Sequence, residues 1–520
     1  MSSLRPSAVH KGQNVHVHTF AFLMFLIGLA VEVSRVARDT FFLQTAGADQ
    51  IPLVYILFAF LMILASLAYG RAARRTSIEK LARITLALAA CVVAGEWSLI
   101  VSGCRSEYLA YALFCSVEMF FIFVPLTVWA VANQTFKVEE GEKVLPTIAT
   151  FGLIGTVVGG LFSRIATPLV GPYNALLLSC VAFAGAALFT GKLSISARST
   201  PLDNESGSRR PRSPWSESIV KTLTFLAFPM WVLVYMIEYT YFVTMGEIFT
   251  DAHELSAFLS VFVTVCSLCA LLVQLQITPW LVARFGVGAT CFLYPASLAV
   301  AATSTLVFAL FPEGSVEPGV ISMPVLFVLF ARFLDMALYQ SIYESTVHVL
   351  YYAVPAQTRT EARALVGGII FPASIACSGV VLMLFRFWDE PTYNIAFTSV
   401  VVGFLVLIMA MDIRPDYLRS LLTHADPRNF QLKAALLTEI SHLSLNESRH
   451  ILLGSLLAED EEEAVFAATK LRERFDSTLF EDLHELPRAV RPTVMAVLEE
   501  GLSVENITAL REAMESKNLG

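Results

Sequence analysis

The sequence predicts an all-α membrane protein: twelve transmembrane helices in two six-helix halves, followed by a small α-helical C-terminal domain. Three observations carry this. Of 520 residues, 56% are hydrophobic and only 15% charged, with a mean hydropathy of +0.65, whereas soluble domains carry about 25% charged residues. Apolar runs of roughly 20 residues recur along most of the chain, each long enough to cross a bilayer as a helix. The runs are continuous and lack the period-2 alternation of barrel strands, so helices are the spanning elements.

From the N-terminus, residues 1–17 form a polar segment that leads into TFAFLMFLIGLAVEVS without a small-residue cleavage site. This reads as an uncleaved first span, not a signal peptide. Spans are expected near 18–38, 51–70, 80–102, 107–133, 145–168, 172–192, 220–243, 255–277, 286–311, 322–352, 363–386 and 393–412. The first six make one half (18–192) and the last six another (220–413), joined by a cytoplasmic linker (193–219) rich in Ser, Pro and Arg. That layout is the one found in the major facilitator fold, whose halves surround a midplane site, although other twelve-helix transporters share the count. With the N-terminus inside, cytoplasmic segments hold seventeen Lys and Arg against five on the other side. The charge bias puts both termini in the cytoplasm of a multi-pass protein of the cell (inner) membrane.

Residues 414–520 have a different character. They hold 19 acidic and 12 basic residues, which accounts for most of the net charge of −8. NFQLKAALLTEISHLS, NESRHILLGSLLA, DEEEAVFAATKLRERF and RPTVMAVLEEGLS alternate apolar and polar residues at helical spacing. Short amphipathic helices in series suggest a cytoplasmic HEAT-like solenoid or a plain helical bundle, a surface suited to a cytosolic protein partner. No basic surface for nucleic acid is present. Most of the eight cysteines fall inside apolar runs, and the single C-x-x-C pair, Cys266 and Cys269, has no further ligand nearby, so packing is its simplest role. No phosphate-binding loop, zinc spacing or nucleophile elbow occurs, so neither an enzyme nor a bound cofactor or metal is expected.

Charges inside spans cost several kcal/mol or more and therefore face a cavity or a partner. Glu32, Arg35, Arg38 and Asp39 close the first span, with Glu32/Arg35 and Arg35/Asp39 at spacings that share a helical face. Glu96 and Glu118 lie in spans three and four, Glu238 in span seven, and Arg332, Asp335 and Glu344 in span ten, with His348 a turn beyond. Arg332 and Asp335 are spaced for an internal pair. Asp39 by itself cannot neutralise both Arg35 and Arg38, and a guanidinium facing a wet cavity suits an anionic solute because it grips phosphate or carboxylate with two parallel bonds. Glu96, Glu118 and Glu238 are either partners of those arginines or proton carriers. Gly155 and Gly159, four apart in span five, permit close helix packing.

The stretch VWAVANQTFKVEEGEKVLPTIATFGLIGTVVGG resembles the junction of spans four and five in the ATP/ADP translocase-type nucleotide transporters of plastids and intracellular bacteria. Glu118, Trp129, Ala132, Asn133, Gln134, Glu139, Glu140, Lys143, Gly155 and Gly160 match that family's glutamate, its FW…AN-[EQ] span end, its charged turn and its glycine-bearing helix. VARDTFFLQTAGADQIP is similar to its R-D…T…GA…IP segment, through Arg38, Asp39, Thr45, Gly47, Ala48, Ile51 and Pro52. YESTVHVLYYAVPAQTRTEARALVGGI looks more loosely like its span-ten to span-eleven region. The resemblance covers about 18–412 and implies a nucleotide carrier with ATP as substrate rather than fuel; relatives with HEAT-like tails fit 414–520. It departs at two places. Tyr55, in IPLVY, occupies the position of the family's phosphate-binding lysine and carries no charge at neutral pH, and the turn reads EEGEK in place of EEAKR.

The expected protein is a carrier of a nucleotide or other anionic, phosphorylated solute, working by alternating access. Its central site would comprise Arg35, Arg38, Asp39, Tyr55, Glu118, Asn133, Glu238, Arg332 and Asp335. Two rivals stand beside it: a non-transporting scaffold whose tail recruits a partner, and a proton-coupled carrier using Glu96, Glu118 or Glu238. The topology is testable in a chain freed of native cysteines. A membrane-impermeant thiol reagent applied to intact cells should label a cysteine placed at Ser106 and spare one placed at Ser208.

Overall fold

The computed structural model describes residues 11–136, 138–190, 215, 218–311, 319–354, 356–388 and 391–423. Counting bent spans as single elements, the first half contains α1 (Lys11–Thr45), α2 (Ile51–Arg75), α3 (Ile78–Val101), α4 (Glu107–Thr135), α5 (Val138–Val170) and α6 (Leu176–Thr190). The second contains α7 (Ser218–Ile248), α8 (Ala252–Phe285), α9 (Val287–Ala309), α10 (Met323–Leu350), α11 (356–385) and α12 (Pro391–Ala410), followed by a short α13 (Ile413–Thr423). A helix stands at each of the twelve expected places. Eleven are long and apolar enough to cross a membrane. The sixth, α6, is apolar but has 15 residues, about 22 Å of helix against a hydrocarbon core of about 30 Å.

Local chemistry sets the boundaries. Gly47, at φ 80°, turns the chain between α1 and α2, and Pro52 then occupies the first turn of α2, where its missing N–H costs nothing. Asp251 caps α8 by accepting from the backbone N–H of His253 (2.8 Å) and Glu254 (3.1 Å). Gly286, at φ 84°, separates α8 from α9. One boundary differs from expectation. VEEGEK is not a loop: α5 begins at Val138 and this stretch is its opening. Single π turns interrupt α8 at Val273–Ile277, α10 at Tyr339–Tyr343 and α11 at Val366–Ile370. The N-terminal segment up to residue 10, nearly all of the linker and the C-terminal helices beyond Thr423 lie outside the described residues.

The packing pattern repeats with a step of six helices. In the first half α1 packs on α4, α5 and α6, and α3 on α4 and α6; in the second α7 packs on α10, α11 and α12, and α9 on α10 and α12. Across the halves α5 meets α8 and α2 meets α11, which are the same contact under that step. The molecule is therefore two similar bundles related by a pseudo-twofold, with α1, α4, α7 and α10 toward the middle.

Glycines allow the close approaches that hold this arrangement. On α5, Gly155 sits against the Phe25 carbonyl and the Leu29 amide of α1, and Gly159 against the Leu29 carbonyl and the Glu32 stem. Each cross-half seam has one too: Gly160 faces Thr264 on α8, and Gly379 of α11 faces the Pro52 carbonyl and Ile56 of α2. Lipid tails are as apolar as leucine, so association rests on such backbone proximity and its dispersion contacts.

Among the described residues, four hydrogen-bonded links join the halves. Three lie at the end opposite the N-terminus: Gln44 Nε2 to the Phe249 carbonyl (3.1 Å), Arg386 to the Asp49 carbonyl (2.9 Å) and the Thr167–Ser256 hydroxyl pair (3.0 Å). The fourth, Tyr55 to Glu238, is central. On the other side α13 buries Ile413, Tyr417, Leu418 and Leu421 against the second half. Its Asp416 carboxylate accepts from Ser218 and Thr222 at the start of α7.

Gly155→Val should be costly, because the obstructing atoms are backbone and cannot rotate away. A loss of about 1–3 kcal/mol, the usual scale of overpacking, is expected in detergent melting curves. Gly70→Ala, whose added methyl meets nothing within 4 Å, should melt like the parent.

Candidate functional site

Two buried arginines organise the middle of the bundle. Arg38, 1% exposed on α1, donates from Nε to Asp39 Oδ1 (2.7 Å) and reaches across to the Glu118 carboxylate on α4. Its guanidinium lies 4.4 Å from the centre of the Phe114 ring, which supplies an apolar face with favourable quadrupole. In the second half, Arg332 on α10 donates to Asp335 Oδ2 (2.7 Å) and to Glu238 Oε1 on α7 (2.6 Å). The remaining oxygens are also satisfied. Asp335 Oδ1 accepts from the Tyr294 hydroxyl (2.8 Å), and Glu238 Oε2 from the Tyr55 hydroxyl (3.2 Å).

The pseudo-symmetry relates these clusters with the charges exchanged. The first half puts its arginine on α1 and the glutamate on α4; the second puts the glutamate on α7 and the arginine on α10. Each guanidinium has donors enough for two carboxylates, and each serves two. Tyr55 then links the halves, because it belongs to α2 yet bonds Glu238 of α7, with its ring edge-on to Tyr235 at 4.9 Å.

Between the clusters lies a pocket of about 340 Å³, counting its open mouth, lined by Glu32, Arg35, Val36, Asp39, Tyr241, Phe242, Leu259, Val263, Arg332 and Met336. Three of the lining residues carry a polar atom without a partner among the described residues. Arg35 Nε, Arg332 Nε and Tyr241 Oη are buried and make no hydrogen bond. Arg35 is held by a ring instead of a carboxylate, its guanidinium 4.8 Å from the centre of Phe121. This assembly can bind a small charged group, since a buried donor left unmet costs about 1–3 kcal/mol that a ligand recovers.

Eight of the nine expected residues meet here: Arg35, Arg38, Asp39, Tyr55, Glu118, Glu238, Arg332 and Asp335. Asn133 does not. It occupies the last turn of α4, fifteen residues past Glu118 and so about 22 Å further along the axis. Tyr55 is present in a different role, wholly buried and tied to a carboxylate rather than open to a phosphate. Glu96 stands apart between α3 and α4, where Ser116 Oγ bonds both its oxygens (2.8 and 3.0 Å). Residues absent from the expectation are Tyr241, Tyr294, Phe114 and Phe121. In an aromatic-rich apolar chain nothing marks which rings meet a charge. Glu32 shares the Arg35 face and had a sequence signal, its i, i+3 spacing.

No family model and no curated protein matches the chain. Solved structures do resemble it. A point mutant of the nucleoside transporter NupG aligns over 76% of this chain and 99% of its own at 13% identity, with a TM-score of 0.54. Two structures of POT family transporters, one in complex with 5-aminolevulinic acid and one with a thioalcohol conjugated peptide, each cover 77% of this chain and 96% of their own. Both have a TM-score of 0.56, at 10% and 11% identity respectively. The chain therefore has the fold of these multi-span transporters.

The two kinds of arginine separate experimentally. Arg332→Ala leaves Glu238 and Asp335 without their cation and should cost about 3–5 kcal/mol. Arg35→Ala removes a ring contact and no ion pair, so about 0.5–2 kcal/mol is expected. Melting curves of the two purified variants against the parent test the order.

Proposed function

We propose that the protein is a membrane transporter that carries a small solute with an acidic group by alternating access of its two halves. The observation that carries this reading is Arg35: a guanidinium on the wall of the central pocket with a ring behind it and no carboxylate on it. The flanking clusters suit the conformational cycle, since arginines shared between two carboxylates on different helices can exchange partners as the halves rock. The similarity to solved transporters supports the class. The motif resemblance to nucleotide translocases, together with the nucleoside transporter among the structural neighbours, supports a nucleotide or another anionic, phosphorylated solute.

A second reading, proton-coupled uptake, is favoured by one specific observation. Five carboxyl groups surround the pocket or join its clusters (Glu32, Asp39, Glu118, Glu238, Asp335), against three guanidinium groups. A low-dielectric interior does not tolerate such an excess cheaply, and a bound proton would relieve it.

Ligand-induced stabilisation of the purified chain tests the proposal. With nucleotides, sugar phosphates and organic anions as the panel, a true solute at 100 times its Kd should add about 2.7 kcal/mol. Arg35→Ala should erase that gain. A silent panel would remove the nucleotide reading, and uptake into liposomes that collapses with the proton gradient would select the second one.

A further inference from the structure

We infer that Glu32 is a second binding pole in the same pocket and that the solute carries both a cationic ammonium-type group and an acidic group. Glu32 is 4% exposed and lines the pocket, yet among the described residues it makes no hydrogen bond and no ion pair. The other four carboxylates of the centre are each held by Arg38 or Arg332. Arg35, three residues on, lies near enough to feel its charge but makes no hydrogen bond or ion-pair contact with it, its guanidinium lying over Phe121 on α4. One pocket thus presents a carboxyl and a guanidinium, neither held in a close ion pair among the described residues, on one helical face with Cβ atoms about 5–6 Å apart.

Leaving two buried charged groups without hydrogen-bonded partners is expensive, and a ligand that brings the two complementary charges relieves both costs together. A purely anionic solute satisfies Arg35 but meets repulsion from Glu32; a purely cationic one does the reverse. The Tyr241 hydroxyl and Arg332 Nε, both unpartnered, offer donors for further ligand oxygens. Gly159 of α5 lets the two helices approach at this point, since a Cβ there would stand 3.1 Å from Glu32 Cβ.

This inference rests on the transporter reading but fails separately from it. The full-length purified chain is melted with α- and ω-amino acids of two to six carbons and with simple dipeptides. Each is paired with its analogue lacking the amino group and its analogue lacking the carboxylate. At least one zwitterion should raise the melting temperature at a concentration where neither of its analogues does. Glu32→Gln should weaken that ligand at least tenfold, and Glu32→Asp should recover part of the loss. A series in which no zwitterion binds, or in which the des-amino acid binds as well as its parent and equally to Glu32→Gln, overturns the inference. Nucleotide binding in that second case would leave the transporter reading standing. The comparison within the unaltered chain holds even if a variant does not fold.

Discussion

A guanidinium buried in a membrane-spanning bundle can persist only if its charge is met inside the protein, and here each of two such groups is met twice. Arg38 binds Asp39 on its own helix and Glu118 on α4; Arg332 binds Asp335 on its own helix and Glu238 on α7. In both cases one bond is local and one crosses to another helix. The local bond pre-orients the side chain, and the crossing bond fixes a helix pair at the centre of its half. Removing water makes both strong and makes neither dispensable. The remaining carboxylate oxygens recruit Tyr55 and Tyr294, so the network reaches across the molecular midline.

Close helix contact is the second requirement, because polar bonds at the centre need backbones near one another. Glycines on α5 and α11 provide it within the first half and at the two seams between halves. The seams are equivalent under the six-helix step. Three of the four cross-half hydrogen bonds cluster at the end opposite the N-terminus, so among the described residues that end is the one fastened. A carrier that opens alternately must break such contacts on one side while making them on the other.

The site lies where the two requirements meet. Its chemistry comes from what the clusters leave over: Arg35, Glu32, Tyr241 and one nitrogen of Arg332. The Tyr55 hydroxyl ties α2 to α7 through Glu238, a connection between halves, while the Arg35 guanidinium one helix away lies over Phe121.

By itself the sequence determined the membrane class, the helical build, the approximate place of each helix and the list of charges that must have partners. All of these follow from hydropathy and spacing along one helix, which are local quantities. The spacing of Arg332 and Asp335 even identified one pair, and the glycine spacing in α5 its packing face. Only the tertiary structure decided which carboxylate meets which arginine across helices, that Arg35 is left over, that Tyr55 closes a bond to Glu238 and that Asn133 stands four turns away. Those outcomes depend on the rotation and depth of one helix against another. Such relations are set by side-chain packing between segments up to about two hundred residues apart, and no local pattern in the chain encodes them.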